Sequence, residues 1–371
     1  VTVNPRANTG TSTSRDRSHG PTKTSTSSPG TGTSAAQPRI RDYKGGDETA
    51  LVEIYSTIFR PRTLDEWRWL FENAPSGRAQ ILVIEFEGRP VGCGTHVPVE
   101  AWVDGSRLQL AIGCDMMLLP EYRGRGWMRL LYEAFVASEH GFDIDIGVVS
   151  DASAHITGRY GGNATLGAIS LWMRHRTRGR RLPAAAGAAL SVAERSYGAV
   201  TSWPRPRLSF VDLENPGSDV DQLAEDSAAF ALCIRIRDAD YLRWHWLEQP
   251  GARWRIRGVR TSEGRLRGLA VLGPRDESHG RSGWIVELLA HDYATTRALL
   301  LDAYELLVRD GCRSVACAYH DPRPWGRRVL YRSGFRPTEG PRLACGALSN
   351  AAGPVVENLD SWYLTCGDTD I

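Results

Sequence analysis

The sequence predicts a mixed α/β (α+β) protein of two similar domains in tandem, each a mainly antiparallel twisted sheet flanked by helices. Three observations carry that prediction. Short apolar runs meet at hairpin turns, capped helix-period segments stand between them, and the order of about eight elements returns in the second part of the chain.

The totals agree. A length of 371 residues suits two domains of ordinary size. Hydrophobic residues at 42% and charged residues at 24% are typical of soluble globular chains. A net charge of +2 argues against a partner held by bulk electrostatics, such as duplex DNA or an anionic membrane. Any phosphate site must therefore be local. Lys23 and Lys44 are the sole lysines, so arginine is the default cation here and an isolated arginine carries little information. The seven cysteines contain no CxxC and sit mostly in apolar runs, which suits reduced, buried thiols of a cytoplasmic protein and offers no metal site.

Taken in order, residues 1–38 are rich in Ser, Thr, Gly and Pro without the apolar core of a signal peptide, and are expected to be a disordered tail. Nothing later approaches the roughly 20 apolar residues of a membrane span. The first domain is expected over 39–174. It opens with a strand at "RIRDY" and two helices, "GDETALVEIYSTIF" and "TLDEWRWLFENA", the second capped by Thr63 with Glu66 three residues on. Three strands follow, joined at "EGR" and "DGS". Trp127, Leu130, Leu131, Ala134 and Phe135 then mark one face of a helix that Gly141 is placed to end. "FDIDIGVVS" reads as a strand, "DASAHITGRYGG" as a short helix and "ATLGAISLWM" as a last strand.

Residues 175–206, basic and then alanine-rich, read as a linker. The second domain, 207–371, repeats the plan. "DEWRWLFENAPSG" from Asp65 returns as "DYLRWHWLEQPGA" from Asp240, with Trp67 and Trp69 matched by Trp244 and Trp246. A spacing of two cannot put both tryptophans on one helix face, so core anchoring is expected for one of each pair and a cleft-facing position is open for the other.

The chemistry concentrates at "LLPEYRGRGWMRLLYEAF", where an apolar strand turns through two glycines into a helix. A helix N-terminus offers unpaired N–H groups and about half a positive charge. Gly124 and Gly126 clear the approach to those amides, and Arg123, Arg125 and Arg129 add charge. The turn suits a polyphosphate. A P-loop would need GxxxxGK[ST], and a dinucleotide fingerprint would need glycine where Arg129 stands.

The stretch resembles the coenzyme loop of the GNAT acyltransferases, [QR]xxGx[GA]: Arg123 and Gly126 match it, Gly124 matches a frequent extra glycine, and Met128 departs from the final small residue. The tandem arrangement is similar to that of mycothiol synthase and of N-acyltransferases from antibiotic pathways. The resemblance implies an acyl-coenzyme A donor, acetyl being the expected acyl group, and a small-molecule amine acceptor attacking the thioester directly. It places the pantetheine arm along the backbone of Met116, Met117, Leu118 and Leu119, and the diphosphate on Arg123, Gly124, Arg125, Gly126, Trp127 and Met128. The first domain is then the working one, the second having no such loop. Tyr160 is the candidate acid for the leaving thiolate, with a structural aromatic as the alternative. His155, His96 and Asp115 are candidate bases, each with a packing or structural role as its alternative. His320 and Asp321 also have two readings, a reach over the cleft and a helix cap by Asp321. Two other functions remain open at this level: the same fold fed by an acyl carrier protein or an aminoacyl-tRNA, and a non-catalytic coenzyme A-binding module.

Overall fold

The computed structural model describes residues 37–176 and 208–369, apart from Ala252 and residues 278–279. The expected tail up to residue 36, and the basic loop and alanine-rich helix expected in the linker, lie outside the described residues.

Local chemistry sets the first sheet. Strands β1 (Arg39–Asp42), β2 (Gln80–Phe86), β3 (Arg89–Val103) and β4 (Ser106–Leu118) pair antiparallel in chain order. The two hairpins turn at Glu87-Gly88 and Asp104-Gly105, and all four residues have positive φ, between 47° and 76°. Such turns twist with the strands they join. Helices α1 (Asp47–Ile58) and α2 (Leu64–Glu72) intervene, and Thr63 and Glu66 form the capping box that the sequence foretells. After β4 comes α3 (Trp127–Ala137), which buries Trp127, Leu131 and Phe135 against Leu82 and Ile84 of β2. It ends sooner than Gly141 suggests, because the Ser138 amide and hydroxyl both donate to the Phe135 carbonyl. Strand β5 (Ile144–Val149) then lies parallel to β4.

The expected last strand of the first domain divides. Its front part, β6 (Ala164–Ala168), stays with the first sheet; its rear part, β7 (Leu171–His175), leaves. In the second part of the chain β8 (Ser209–Asp212), β10 (Arg255–Arg260), β11 (Leu266–Glu277) and β12 (Gly280–Ala290) form the matching antiparallel run. Strand β13 (Ser314–His320) lies parallel to β12. Strand β7 pairs between β13 and β14 (Arg336–Thr338), while β15 (Arg342–Ala347) crosses the other way and pairs between β5 and β6. Each half thus completes its sheet with a strand donated by the other. Hydropathy could not foretell this, because β7 is equally apolar against either neighbour.

Two further links join the halves. Strand β9 (Cys233–Arg235) pairs with Ala101–Val103 at the end of β3 and with β16 (Trp362–Thr365), so that sixteen strands form one hydrogen-bonded network. At the helices, Trp69 meets Trp244, with ring centroids 5.6 Å apart and stacked. This shifts the repeat: Trp69 answers Trp244, and Thr63, the cap of α2, answers Asp238, the cap of the short helix Ala239–Leu242. All four tryptophans, Trp67, Trp69, Trp244 and Trp246, are buried.

Candidate functional site

The site begins where two strands part. β4 bonds to β5 from Leu110 to Gly113 alone, and β5 turns its other edge to β15. From Cys114 to Leu118, β4 has β3 on one side and a cleft on the other. The ladder slips opposite Gly94, and Asp115 sits in the bulge with φ 48°. A left-handed backbone costs roughly 1–2 kcal/mol for a non-glycine residue, and Asp is among those that tolerate it best.

An ion pair holds this bulge. Arg62, between α1 and α2, donates from both terminal nitrogens to the Asp115 carboxylate, and its guanidinium lies 3.4 Å from the Tyr55 ring centroid. Both side chains are nearly inaccessible, 3% and 7% exposed. Burial opposes the Arg62 charge, but the charge and hydrogen bonds of Asp115 outweigh it and raise the pKa. Arg62 was not legible as a partner, being one arginine among many and 53 residues from Asp115.

Beyond Leu118 the chain makes a single 3-10 turn, Pro120–Tyr122, and passes through Gly124 (φ 76°) and Gly126 (φ 77°) into α3. No side chain caps that helix. Arg123 lines the cleft with its Nε donating to the Leu118 carbonyl at 3.0 Å. Arg129 also lines it, paired with Glu133. Arg125 does not; it lies over Tyr122 and Trp127 and donates to the Glu121 carbonyl.

The cleft has a volume of about 640 Å³. Met116, Met117 and Leu118 form one wall, the Arg123–Met128 corner one end, and a helix the facing wall. That helix is α4 (Asp151–Ile156), continued by one π turn over Thr157–Gly161, a distortion common at functional sites. It carries His155 and Tyr160 into the cleft, with His155 exposed and Tyr160 half-buried.

The other two candidate bases sit elsewhere. Asp115 is engaged by Arg62. His96 is 3% exposed and lies flat on Phe135, with centroids 3.6 Å apart. Burial, helped by His140, lowers its pKa to about 3, so the ring is neutral. Its Nε2 is 3.7 Å from Asp145, whose pKa burial raises to about 6 against the hydrogen bond from Asn163. One residue that the sequence pattern hid also lines the cleft: Tyr132 of α3, which reads as core from its place beside the apolar stripe. Burial, and then the Asp145 charge, push its pKa up, so the hydroxyl remains a donor. His320 and Asp321 do not line the cleft: Asp321 accepts from Tyr319, Arg323 and the Arg323 amide, and His320 lies 3.5 Å from Asp360.

A cleft of this form, between parting parallel strands and closed by a glycine turn, coincides with a sequence match. Residues 49–157 match the model of the acetyltransferase (GNAT) family. The first half is a GNAT acyltransferase domain. Solved structures share the tandem GNAT fold across most of the chain. A probable N-acyltransferase from Enterococcus faecalis superposes with a TM-score of 0.61 at 11% identity, over 85% of this chain and 74% of that one. A GCN5-related N-acetyltransferase from Anabaena variabilis gives 0.60 at 13%, over 84% and 73%. A tandem GNAT protein of the clavulanic acid biosynthesis pathway gives 0.50 at 16%, over 84% of this chain and 99% of its own. No curated protein matches the sequence.

The second GNAT-like half has the same scaffold with the corner filled. Its long helix, α7 by chain order after Ser218–Asp226 and Ala239–Leu242, spans Tyr293–Arg309 and is capped by Asp292, whose side chain accepts from the Thr295 amide at 2.8 Å and pairs with Arg267. A carboxylate thus occupies the seat that is bare at Gly126. Arg323 donates to the Ala290 and His291 carbonyls at the end of β12. The ion pair beside the bulge recurs, as Arg237 with Glu287, both fully buried. Among the described residues no group of three or more His, Cys, Asp and Glu has an arrangement that could hold a metal ion.

Proposed function

We propose that the protein is an N-acyltransferase that moves an acyl group from acyl-coenzyme A to an amine of a small metabolite or natural product, within a ternary complex in the first half. One observation carries the reading. A single cleft contains an unpaired strand edge, an uncapped helix N-terminus flanked by arginine, and two proton-transfer side chains on the facing helix.

Each part has a task. The free edge at Met116–Leu118 offers amides and carbonyls to a donor arm that itself carries amides, as an added strand would. The N-terminus at Gly126 suits the diphosphate, and Arg123 adds charge from the end of the strand. The amine nitrogen attacks the thioester carbon, forming the C–N bond as the C–S bond breaks. His155 takes the amine proton and Tyr160 gives one to the departing thiolate. Tyr132 supplies a further hydroxyl on the same side. Seven unpaired cysteines, six of them buried, support a cytoplasmic setting.

Free-thiol release with acetyl-coenzyme A and a panel of amines tests this. The expected result is release that depends on the amine and falls roughly 100-fold in Tyr160→Phe and in His155→Ala. Coenzyme binding without thiol release for any amine would leave a binding module in place of an enzyme.

A further inference from the structure

Resting on that donor reading, we infer that the cleft is built for an acyl chain several carbons longer than acetyl. The cleft has a direction. Arg123 and Gly126 mark the anionic end, beyond Leu118. At the opposite end the wall is apolar. Phe59 is three residues before Arg62, which holds Asp115, and Asp115 immediately precedes Met116; Ile58 and Phe59 therefore stand past the strand edge, where the arm ends in its thioester. Ile156 faces them from α4.

The chemistry of that end is unlike what an acetyl group needs. Phe59 is 57% exposed, an unusual position for a large apolar side chain, and its ring contact is Tyr55 at 5.0 Å. Three of the chain's four methionines, Met116, Met117 and Met128, line this one cleft. Methionine is flexible and polarisable, and suits a wall that must adapt to a chain of variable length. A methyl group covers almost none of this surface, whereas a chain continuing from the thioester lies directly along it.

Calorimetry on the full chain with coenzyme A and its acetyl, butyryl and hexanoyl thioesters tests the inference. Each methylene buried is expected to tighten binding about two- to fourfold, so that hexanoyl binds at least about tenfold tighter than acetyl. In Phe59→Ser and Ile156→Ser the hexanoyl-to-acetyl ratio, each normalised to coenzyme A on the same variant, falls toward one. Equal affinity for acetyl and hexanoyl thioesters overturns the chain-length inference and leaves the donor reading standing. An unchanged ratio in both variants overturns the assignment of this wall. Failure of every thioester and of coenzyme A to bind overturns the donor reading itself.

Discussion

Trp69 and Trp244 hold each other by mirrored hydrogen bonds: the Trp69 indole donates to the Trp244 carbonyl at 2.6 Å, and the Trp244 indole donates to the Trp69 carbonyl at 2.8 Å. Their spacing of 175 residues is also that of Arg62 and Arg237, the two bulge-holding arginines. A local two-fold relation between the halves runs through this pair.

The pair makes a symmetric prediction. Trp69→Phe and Trp244→Phe each keep most of the apolar contact but leave one buried carbonyl without its donor, which costs about 1–3 kcal/mol. Urea unfolding followed by circular dichroism should give similar losses for the two. A large loss for one and none for the other would show that the relation is geometric without being energetic.

Coenzyme binding should depend on the bare corner. Arg123→Ala combined with Gly126→Asp removes a cation and sets a carboxylate against the N-terminus of α3, as Asp292 does in the second half. Each unfavourable charge change there is worth about 1 kcal/mol or more, and the Asp also blocks the seat. Calorimetry should show affinity reduced by more than about tenfold, and unchanged affinity would move the diphosphate elsewhere.

The Arg62–Asp115 pair should behave as a buried structural bond. Asp115→Ala leaves the Arg62 charge without its partner and should cost about 3–5 kcal/mol, whereas Asp115→Asn keeps an acceptor and should cost much less. A base would respond differently, with Asp115→Asn abolishing thiol release at full stability.

His96 and Asp145 have opposed effects on acid stability. A histidine held near pKa 3 in the folded chain, against an unfolded value of about 6.5, makes the unfolded state the better proton binder between those values, so stability falls as pH drops through that window. Asp145, raised to about 6, makes the folded state the better binder between roughly 3.8 and 6, so its contribution grows as pH drops. From about pH 6 to pH 4 the two slopes cancel. Asp145→Asn removes one of them, and its stability relative to the parent should fall by roughly 1.4 kcal/mol per pH unit over that range. A constant difference in pH-resolved urea melts would show that the two groups do not titrate as a buried pair.

Much of this molecule was legible in its sequence because the signals were local. The Glu87-Gly88 and Asp104-Gly105 turns, the Thr63 cap and the bare corner before Trp127 each follow from a few neighbouring residues. What escaped was decided at long range. The strand "ATLGAISLWM" contains no mark of its division at Ile169-Ser170, since the partners of its rear part lie beyond residue 313. His96 and Asp115 looked like bases because their residue types permit it; Phe135, Asp145 and Arg62, which give them other work, are distant in sequence. His155 and Tyr160 were placed together by proximity on one short helix, and Tyr132 was missed because a buried tyrosine on an apolar stripe looks like packing.

The traded strands β7 and β15 make synthesis and activity inseparable. β5, whose parting from β4 opens the cleft, acquires its second neighbour only when residues 342–347 have left the ribosome, near the end of a 371-residue chain. Until then the catalytic half carries an unsatisfied edge, open to chance pairing with other nascent polypeptides. A half lacking a phosphate seat is therefore retained for another reason: it delivers the strand without which its sibling cannot mature.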